Sequence, residues 1–292
     1  MSNTVNLTTD ILAQGALEGF LSITQPLNIF STNFSPAPAQ KGGTVSVPLY
    51  GVIANADNFA GDYTTNSDQT INEVAVSLNQ HFYKTINVTD KEAALGVDGY
   101  KLAFQAGAAV AKSVFTGAMG AFDLTRAPNG LATMKLGSAA LMAPSGVLAL
   151  RTTSAGWGER NLLMDSSYYT AFLGNLPTST TVQDKATSNG TVPSAYGFSI
   201  YETDVSNFAQ NIVSGKVIAT NPAALAIASR YLAPDDGGTY IEARAITDDK
   251  TKTTLGLRSW YDPAKGKKFM TIEWLGGYTV GVTGAIAVIQ GP

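Results

Sequence analysis

The stretch that decides the fold is TDKEAALGVDGYKLAFQAGAAVAKSVFTGAMGAF, residues 89–122. Its first four residues have the spacing of a capping box, in which Thr89 and Glu92 satisfy free amides at the start of a helix. Gly96 and Gly99 then interrupt the pattern, and beyond them apolar residues recur every three or four positions. At ~1.5 Å per residue the second segment would be roughly 30 Å long, so the sequence predicts a helix that crosses a whole domain.

This predicted helix has one polar and one apolar face. The polar face holds Lys101, Gln105, Lys112 and Thr116. The apolar stripe consists of Tyr100, Phe104, Ala108, Ala111, Phe115, Met119 and Phe122. Small residues such as Gly117 would let another element approach closely, although ordinary helix–sheet packing explains them as well.

The chain before this helix predicts an arm and a pair of strands. Residues 1–43 contain a short predicted helix, 10–21, and an extended segment rich in Pro and Ser, which we interpret as an arm outside the core. TVSVPLY at 44–50 and EVAVSLNQHFY at 73–83 both alternate as strands do, and a long polar interval separates them. Two such strands with a polar tip predict a projecting β arm.

The second half of the chain predicts mixed helices and strands that end in strands alone. RNLLMD, 160–165, predicts a buried strand that leads into a helix capped by Ser166. GFSIYETD and GKVIAT predict two more strands, and the alanine-rich NPAALAIASRYLAP, 221–234, predicts a helix capped by Asn221. Another helix is predicted over 131–141. The remaining segments all resemble strands: TYIEARAIT, TKTTLGLRSWYD, KKFMTIEWLGG and YTVGVTGAIAVIQ.

Composition favours a subunit that buries much of its surface. The chain has 292 residues, enough for a sizeable core, and only 14% of them are charged. A surface this poor in charge suits contact between subunits, and it also occurs in secreted β proteins. The net charge of −3 argues against a general nucleic-acid binder, so any contact with DNA should be weak. No stretch has the length and hydropathy of a membrane span, and the first residues do not predict a signal peptide, so we expect no membrane partner.

The sequence predicts no catalytic residues, no cofactor and no metal. Its single histidine, His81, lies in a predicted strand and is interpreted as a structural or surface residue. No phosphate-binding loop, dinucleotide fingerprint or nucleophile elbow is present. The paired acids at 235–236 and 248–249 lie in predicted turns, and the formation of Asx turns explains them. A cation bound by their oxygens is the alternative interpretation. The lysines of AKGKK are interpreted as part of a hairpin turn. The chain has no Cys, which fits a reducing cytoplasm.

The order of these segments resembles the major capsid proteins of tailed bacteriophages, and more closely their podophage-type branch, over nearly the whole chain. The stretches that carry the likeness are KGGTVSVPLYG, NVTDKEAAL, RNLLMDSSYYTAF, GFSIYETD, NPAALAIASR and LRSWYDPAKGKKFMTIEWLGGYTV. Each stretch alone is degenerate, and the specificity comes from their order. The resemblance implies an α+β, Hong Kong 97-like major capsid fold.

The resemblance also implies a domain division and a set of contact residues. An N-terminal arm would span 1–43, an extended β loop 44–88, a peripheral domain 89–126 and 236–292, and an axial domain 127–235, which the helix at 221–234 would close. A spine helix would carry Tyr100, Phe104, Ala108, Ala111, Phe115 and Met119. Because an isolated two-stranded arm is marginal in water, the extended loop would contact a neighbouring subunit. Its contact residues would be Val45, Val47, Leu49, Val74, Val76 and Leu78.

The function that the resemblance implies is self-assembly into the icosahedral head shell that encloses a double-stranded DNA genome, so the chain would not be an enzyme. Its partners would be further copies in hexamers and pentamers, a portal protein, a scaffolding protein and a decoration protein. It would be assembled in the host cytoplasm and located in the virion. One alternative is an encapsulin shell of the same fold around an enzyme cargo, which neighbouring genes would distinguish. The other is a secreted β-rich hydrolase or adhesin, which would need a signal peptide and a convergent catalytic set.

Overall fold

A computed structural model describes residues 9–49, 72–95, 98–121, 147, 154, 157–174, 194–204, 216–234, 240 and 242–290. The predicted helix at 131–141 and the acids at 235–236 lie outside these residues. The α-helices are α1 (Thr9–Thr24), α2 (Asp90–Ala94), α3 (Gly99–Gly120) and α4 (Ser166–Gly174). The strands are β1 (Ser31–Pro38), β2 (Thr44–Pro48), β3 (Glu73–Ser77), β4 (Gln80–Thr89), β5 (Asn161–Asp165), β6 (Ser194–Ala195), β7 (Phe198–Thr203), β8 (Lys216–Thr220), β9 (Leu225–Tyr231), β10 (Glu242–Thr247), β11 (Thr254–Asp262), β12 (Lys267–Val280) and β13 (Ile286–Gln290).

The capping box and the long helix are confirmed. The hydroxyl of Thr89 accepts from the Glu92 amide at 3.1 Å, and the Glu92 carboxylate accepts from the Thr89 amide at 2.9 Å. That hydrogen bond holds the pKa of Glu92 below its usual value. After the break, Asp98 caps α3 by accepting from the Lys101 amide at 3.2 Å. The 22 residues of α3 span about 33 Å.

The expectation that residues 1–43 lie outside the core is wrong for α1 and β1. Helix α1 packs along α3, and β1 pairs in parallel with β9. The apolar stripe of α1 is buried in the main core: Leu12, Ala13, Ala16 and Phe20. An amphipathic helix of this length buries its stripe wherever a matching surface is available, and α3 provides that surface.

Glycines let the two helix backbones approach closely. A Cβ at Gly107 of α3 would overlap the Ala16 carbonyl oxygen, and a Cβ at Gly19 of α1 would overlap the Phe104 carbonyl oxygen. Both positions therefore require the absence of a side chain, and glycine meets that requirement at the cost of some helix propensity.

The buried face of α3 is rotated slightly from the predicted stripe. Ala111, Phe115 and Met119 are fully buried, whereas Tyr100, Phe104 and Ala108 are only half-buried. Because α1 covers the small residues on one flank, the centre of the buried face consists of Ala103, Ala106, Gly107, Val110, Val114 and Ala118. The polar residues Lys101, Gln105 and Lys112 are exposed, in agreement with the predicted polar face. Phe122 lies outside the described residues.

The first sheet has the order β1-β9-β12-β11-β10, with β4 paired to β12 on its other edge. Every pair is antiparallel except β1 with β9. Leu275 and Gly276 of β12 pair with β4 on one side and with β9 on the other, so β9 lies on the same edge of β12 as β11. The long strand β12 therefore pairs with every other strand of this sheet except β1 and β10.

The predicted helix at 221–234 is wrong, because half of this segment, Leu225–Tyr231, is strand β9. Asn221 does act as a cap, accepting from the Ala223 amide at 2.8 Å, but the turn that it starts is a single 3-10 turn, Pro222–Ala224. Residues 225 to 229 are all fully buried, with Leu225 and Ile227 facing the helices and the alternate alanines facing the opposite side. A strand covered on both faces reads as a continuous apolar run rather than an alternating one.

The predicted pair of alternating strands is confirmed as the antiparallel hairpin β2–β3, with Val45 opposite Val76 and Val47 opposite Val74. The second predicted strand, 73–83, is wrong as one element, because β3 ends at Ser77 and the residues from Gln80 onward form β4, which pairs with β12 in the first sheet. The hairpin lies on the face of the first sheet opposite α1 and α3 and packs there against Ala226, Ala228 and Leu275. Strand alternation places these three residues on that face, because their neighbours Leu225, Ile227 and Trp274 belong to the core under the helices.

The second sheet has the order β13-β8-β5-β7-β6 and carries α4. Strand β5 is fully buried and leads into α4, as predicted. The cap is Asp165 and not Ser166: the Asp165 carboxylate accepts from the Tyr168 amide at 2.8 Å, whereas the Ser166 hydroxyl donates to the Thr203 carbonyl at 3.4 Å.

The two sheets exchange strands, so they do not coincide with the predicted segments 127–235 and 236–292. Strand β9 of the first segment lies in the first sheet, and strand β13 of the second segment pairs with β8 in the second sheet. The division into axial and peripheral domains stays a prediction.

We expect Gly107→Leu to destabilise the subunit by about 3 kcal/mol, because the new side chain would force α1 and α3 apart. Gly174→Leu is the matched control, since a Cβ at that exposed position meets no atom within 4 Å. Urea unfolding followed by far-UV circular dichroism measures both. Equal unfolding midpoints for the two variants would contradict the close contact.

Candidate functional site

The six predicted contact residues lie in the strands of the hairpin β2–β3 or directly after them. Three of the six are buried within the chain itself. Val47, Val76 and Leu78 have no exposed surface, because they pack on the first sheet. Val45, Leu49 and Val74 are half-buried around the same cluster. The base of the hairpin is thus an intrachain contact, and contact of the hairpin with a neighbouring subunit stays a prediction. Residues 50–71 lie outside the described part of the chain.

A chain of hydrogen bonds joins the first sheet to the hairpin on this face. The Arg230 guanidinium of β9 donates to the Asn33 backbone oxygen at 2.7 Å and to the Asn33 side-chain oxygen at 3.0 Å. The Asn33 amide nitrogen then donates to the Ser46 carbonyl of β2 at 2.8 Å, and the Ser46 hydroxyl donates to the Glu73 carboxylate of β3 at 2.5 Å. We call Arg230, Asn33, Ser46 and Glu73 the hairpin clamp.

A second polar group on the same face surrounds a buried carboxylate. Glu273 of β12 is only 4% exposed. One of its oxygens accepts from Arg258 Nε at 2.7 Å, and the other lies 3.0 Å from His81 Nε2. Gly256 on the neighbouring strand makes room for it, because a Cβ there would come within 2.7 Å of the Glu273 side chain. His81 is thus a hydrogen-bonding partner of a buried carboxylate in the first sheet.

Arg258 connects this carboxylate to an aromatic group at the edge of the sheet. Burial disfavours its charge, but hydrogen bonds with Tyr240 and Glu273 outweigh burial and raise the pKa of Arg258. The guanidinium lies 5.5 Å from the centre of the Tyr240 ring, which packs edge-on against Trp260. Trp260 in turn stacks on Phe269 with ring centres 5.3 Å apart. This group gives the face a rigid, partly apolar surface.

The turns behave as the sequence predicts. The Asp248 carboxylate accepts from the Thr251 amide at 2.7 Å and from the Lys250 amide at 3.2 Å, and the first of these bonds holds the pKa of Asp248 below its usual value. Lys265 pairs with Asp262 at 3.1 Å in the turn between β11 and β12. These contacts assign Asp248 and Lys265 to turn formation, whereas Lys267 and Lys268 of the same predicted turn lie in β12.

Within the described residues, no group of three or more His, Asp or Glu side chains is arranged to hold a metal ion. None of the described helices is long and apolar enough to cross a membrane.

Sequence reasoning missed both polar groups on this face. Arg230 and Asn33 are 197 positions apart, and His81 and Glu273 are 192 apart. No local pattern marks residues that meet only through sheet pairing. The one available signal was a charged residue inside each of two otherwise apolar segments, Arg230 in ASRY and Glu273 in MTIEW, since a buried charge requires a partner.

We expect Arg258→Met to destabilise the subunit by about 3 kcal/mol, because it leaves Glu273 buried beside His81 alone. Adding Glu273→Met should recover part of the loss, since both charges are then removed. Urea unfolding of the two variants measures the effect, with Lys265→Met in an exposed pair as the control. A double variant less stable than Arg258→Met would contradict this account of the network.

Comparison with known proteins identifies the fold. No protein-family profile and no curated protein sequence matches the chain. A virus-like particle from Pyrococcus furiosus is similar with a TM-score of 0.56 and 16% identity, over 96% of this chain and 98% of that one. A structure from Mycobacterium phage Che8 has a TM-score of 0.52 and 12% identity, over 86% and 85% of the two chains. The capsid structure of cyanophage P-SCSP1u has a TM-score of 0.51 and 10% identity, over 90% and 86%.

These similarities span nearly the whole of each chain at very low identity, so they concern the architecture and not particular residues. The chain therefore has the α+β, Hong Kong 97-like fold that the order of its sequence segments predicted.

Proposed function

We propose that this chain is a major capsid protein that assembles into the icosahedral head shell of a tailed bacteriophage and encloses its double-stranded DNA. The observation that carries the proposal is the full-length similarity of fold to a cyanophage capsid. The low content of charged residues, 14%, supports it because extensive contact between subunits favours such a surface. The net charge of −3 supports only weak contact with the packaged DNA.

An encapsulin-type shell around a protein cargo is the second candidate. The virus-like particle from Pyrococcus furiosus supports it, because the similarity covers 96% of this chain and nearly all of that chain. Both candidates make the chain a shell subunit with no catalytic role of its own, and they differ in what the shell contains. Hexamers and pentamers of the chain are proposed for either shell. A portal, a scaffolding protein and a decoration protein are proposed partners for the phage head, which would assemble in the host cytoplasm and become part of the virion.

We expect the purified full-length chain to form closed shells, alone or when produced together with its scaffolding partner. Electron microscopy and sedimentation velocity detect them directly. A chain that stays monomeric at high concentration with that partner present would contradict both candidates. Arg244→Met, which removes partly exposed ion pairs with Asp10 and Glu242, serves as a control that should still assemble, because such pairs add little stability.

The contents of shells isolated from the native source separate the two candidates. A phage head contains double-stranded DNA that nuclease cannot reach, whereas an encapsulin contains a second protein that copurifies with the shell. The ratio of absorbance at 260 nm and 280 nm, followed by gel analysis of the contents, distinguishes them.

The extended loop over 44–88 is proposed to join neighbouring subunits. Its support is the confirmed hairpin β2–β3, since a two-stranded hairpin of this size gains order only by packing on another surface. The base already packs on its own sheet through Val47 and Val76. The part of the loop between the strands would then supply the contact between subunits.

We expect deletion of residues 57–68 to abolish shell formation and to leave the unfolding of the free subunit nearly unchanged. Each loop contact is small, but repetition around a closed lattice multiplies its effect. Thermal unfolding and sedimentation of assembly reactions are measured side by side. A deletion that unfolds the subunit would place this segment in the core, and normal shells would show that it joins no subunits.

A further inference from the structure

The hairpin β2–β3 is fixed to its own subunit by two separate kinds of contact. Val47, Val76 and Leu78 form an apolar contact with Ala226, Ala228 and Leu275. The hairpin backbone comes so close here that a Cβ at Gly277 would overlap the Ser77 carbonyl oxygen. An apolar contact of this kind resists lifting of the hairpin, but it has no directional preference that would prevent rotation on the sheet.

The hairpin clamp fixes the orientation of the hairpin on the sheet, which the apolar contact leaves free. Arg230 uses its planar fork to hold both oxygens of Asn33, with Nη1 2.7 Å from the backbone oxygen and Nη2 3.0 Å from the side-chain oxygen. Nη1 also donates to the Ser229 carbonyl at 2.8 Å, which fixes the guanidinium against its own strand. Two oxygens held by one rigid group leave the Asn33 side chain little freedom to turn.

This arrangement determines which way the Asn33 amide group points. A guanidinium has donors only, so it has to face the side-chain oxygen of Asn33, and the amide nitrogen then faces β2. That nitrogen donates to the Ser46 carbonyl at 2.8 Å. The orientation of the hairpin is thus transmitted from β9 through β1 to β2 in two steps, each of which depends on the direction of a planar group.

We propose that Arg230 and Asn33 are positioning residues that set the direction in which the β2–β3 hairpin leaves the subunit, and so decide whether copies of the chain can close a shell. This inference rests on the proposed shell function. A lattice closes only if each subunit presents its contacts at the same angle, because contacts that cannot be made simultaneously lose their multivalent gain.

The sharpest variant is Asn33→Asp, which keeps the size of the side chain and its pairing with Arg230. It removes only the amide donor and places a carboxylate oxygen next to the Ser46 carbonyl. Arg230→Met tests the other step, since it keeps an apolar stem and loses the fork. Arg244→Met is the matched control, because it also removes arginine ion pairs but contacts Asp10 and Glu242 rather than the hairpin.

We expect both clamp variants to unfold at nearly the wild-type temperature and to form closed shells about tenfold more slowly, with open or irregular particles, because misdirected contacts are lost together. Sedimentation and electron microscopy measure the rate and the particle shape. Arg244→Met should assemble as wild type does. Clamp variants that form normal shells at the normal rate would overturn the proposal.

A second measurement reads the hairpin direction without assembly. The chain has no Cys, so spin labels at Ala75→Cys on the hairpin and Lys112→Cys on α3, both exposed, report one distance in the free subunit. We expect a narrow distribution with the native clamp and a broader one with Asn33→Asp. An unchanged distribution overturns the proposal, whatever the shells look like. If the wild type forms no shells, the proposed function fails, and the distance distribution alone still decides whether the clamp sets the hairpin direction.

Discussion

The burial of β9 from both sides is the constraint on which the rest of the structure depends. Residues 225 to 229 have no exposed surface, because α1 and α3 cover one face of the strand and the hairpin β2–β3 covers the other. The strand therefore needs larger side chains, Leu225 and Ile227, toward the helices and alanine toward the hairpin. It also needs partners on both edges, which β1 and β12 provide. One short segment thereby fixes the helix layer, the sheet and the hairpin base relative to each other.

This double burial also explains which parts of the fold the sequence predicted and which it did not. The capping box at Thr89, the long helix α3, the alternating hairpin strands and most of the C-terminal strands depend on local patterns and were predicted. The strand predicted over 278–290 is wrong as one element, because its first residues continue β12 and β13 begins only at Ile286. The segment NPAALAIASRYLAP gave the wrong prediction because alanine has the highest helix propensity, while a strand covered on both faces loses the alternation that would identify it.

The misplacement of the N-terminal segment has a different physical cause. Pro and Ser between residues 35 and 38 suggested an arm, yet β1 pairs at the edge of the first sheet, where a strand can include proline without losing an inner hydrogen bond. Likewise, Gly15 and Gly19 in α1 would lower helix propensity in isolation, but they are the residues that permit contact with α3. The polar groups of the candidate site could not be predicted from the sequence. Arg230, Asn33 and Ser46 are distant in the chain and come together only when the strands have paired.

The long strand β12 connects the sheet, the helix layer and the base of the hairpin. Its N-terminal half pairs with β11 and β4, and its C-terminal end pairs with β9 beneath the hairpin. With 14 residues at about 3.3 Å each it is long enough to pair with β11 and then with β9 along one edge. Backbone pairing on both edges resists bending, so the hairpin base and the helix layer are attached to one stiff element. A change in hairpin direction then has to come from the few hydrogen bonds of the clamp rather than from the sheet, because the clamp bonds are partly solvent-accessible while the sheet beneath them is buried. The polar link between the subunit core and the hairpin is therefore Asn33 with its two partners, and a change there would alter the hairpin direction without disturbing the core.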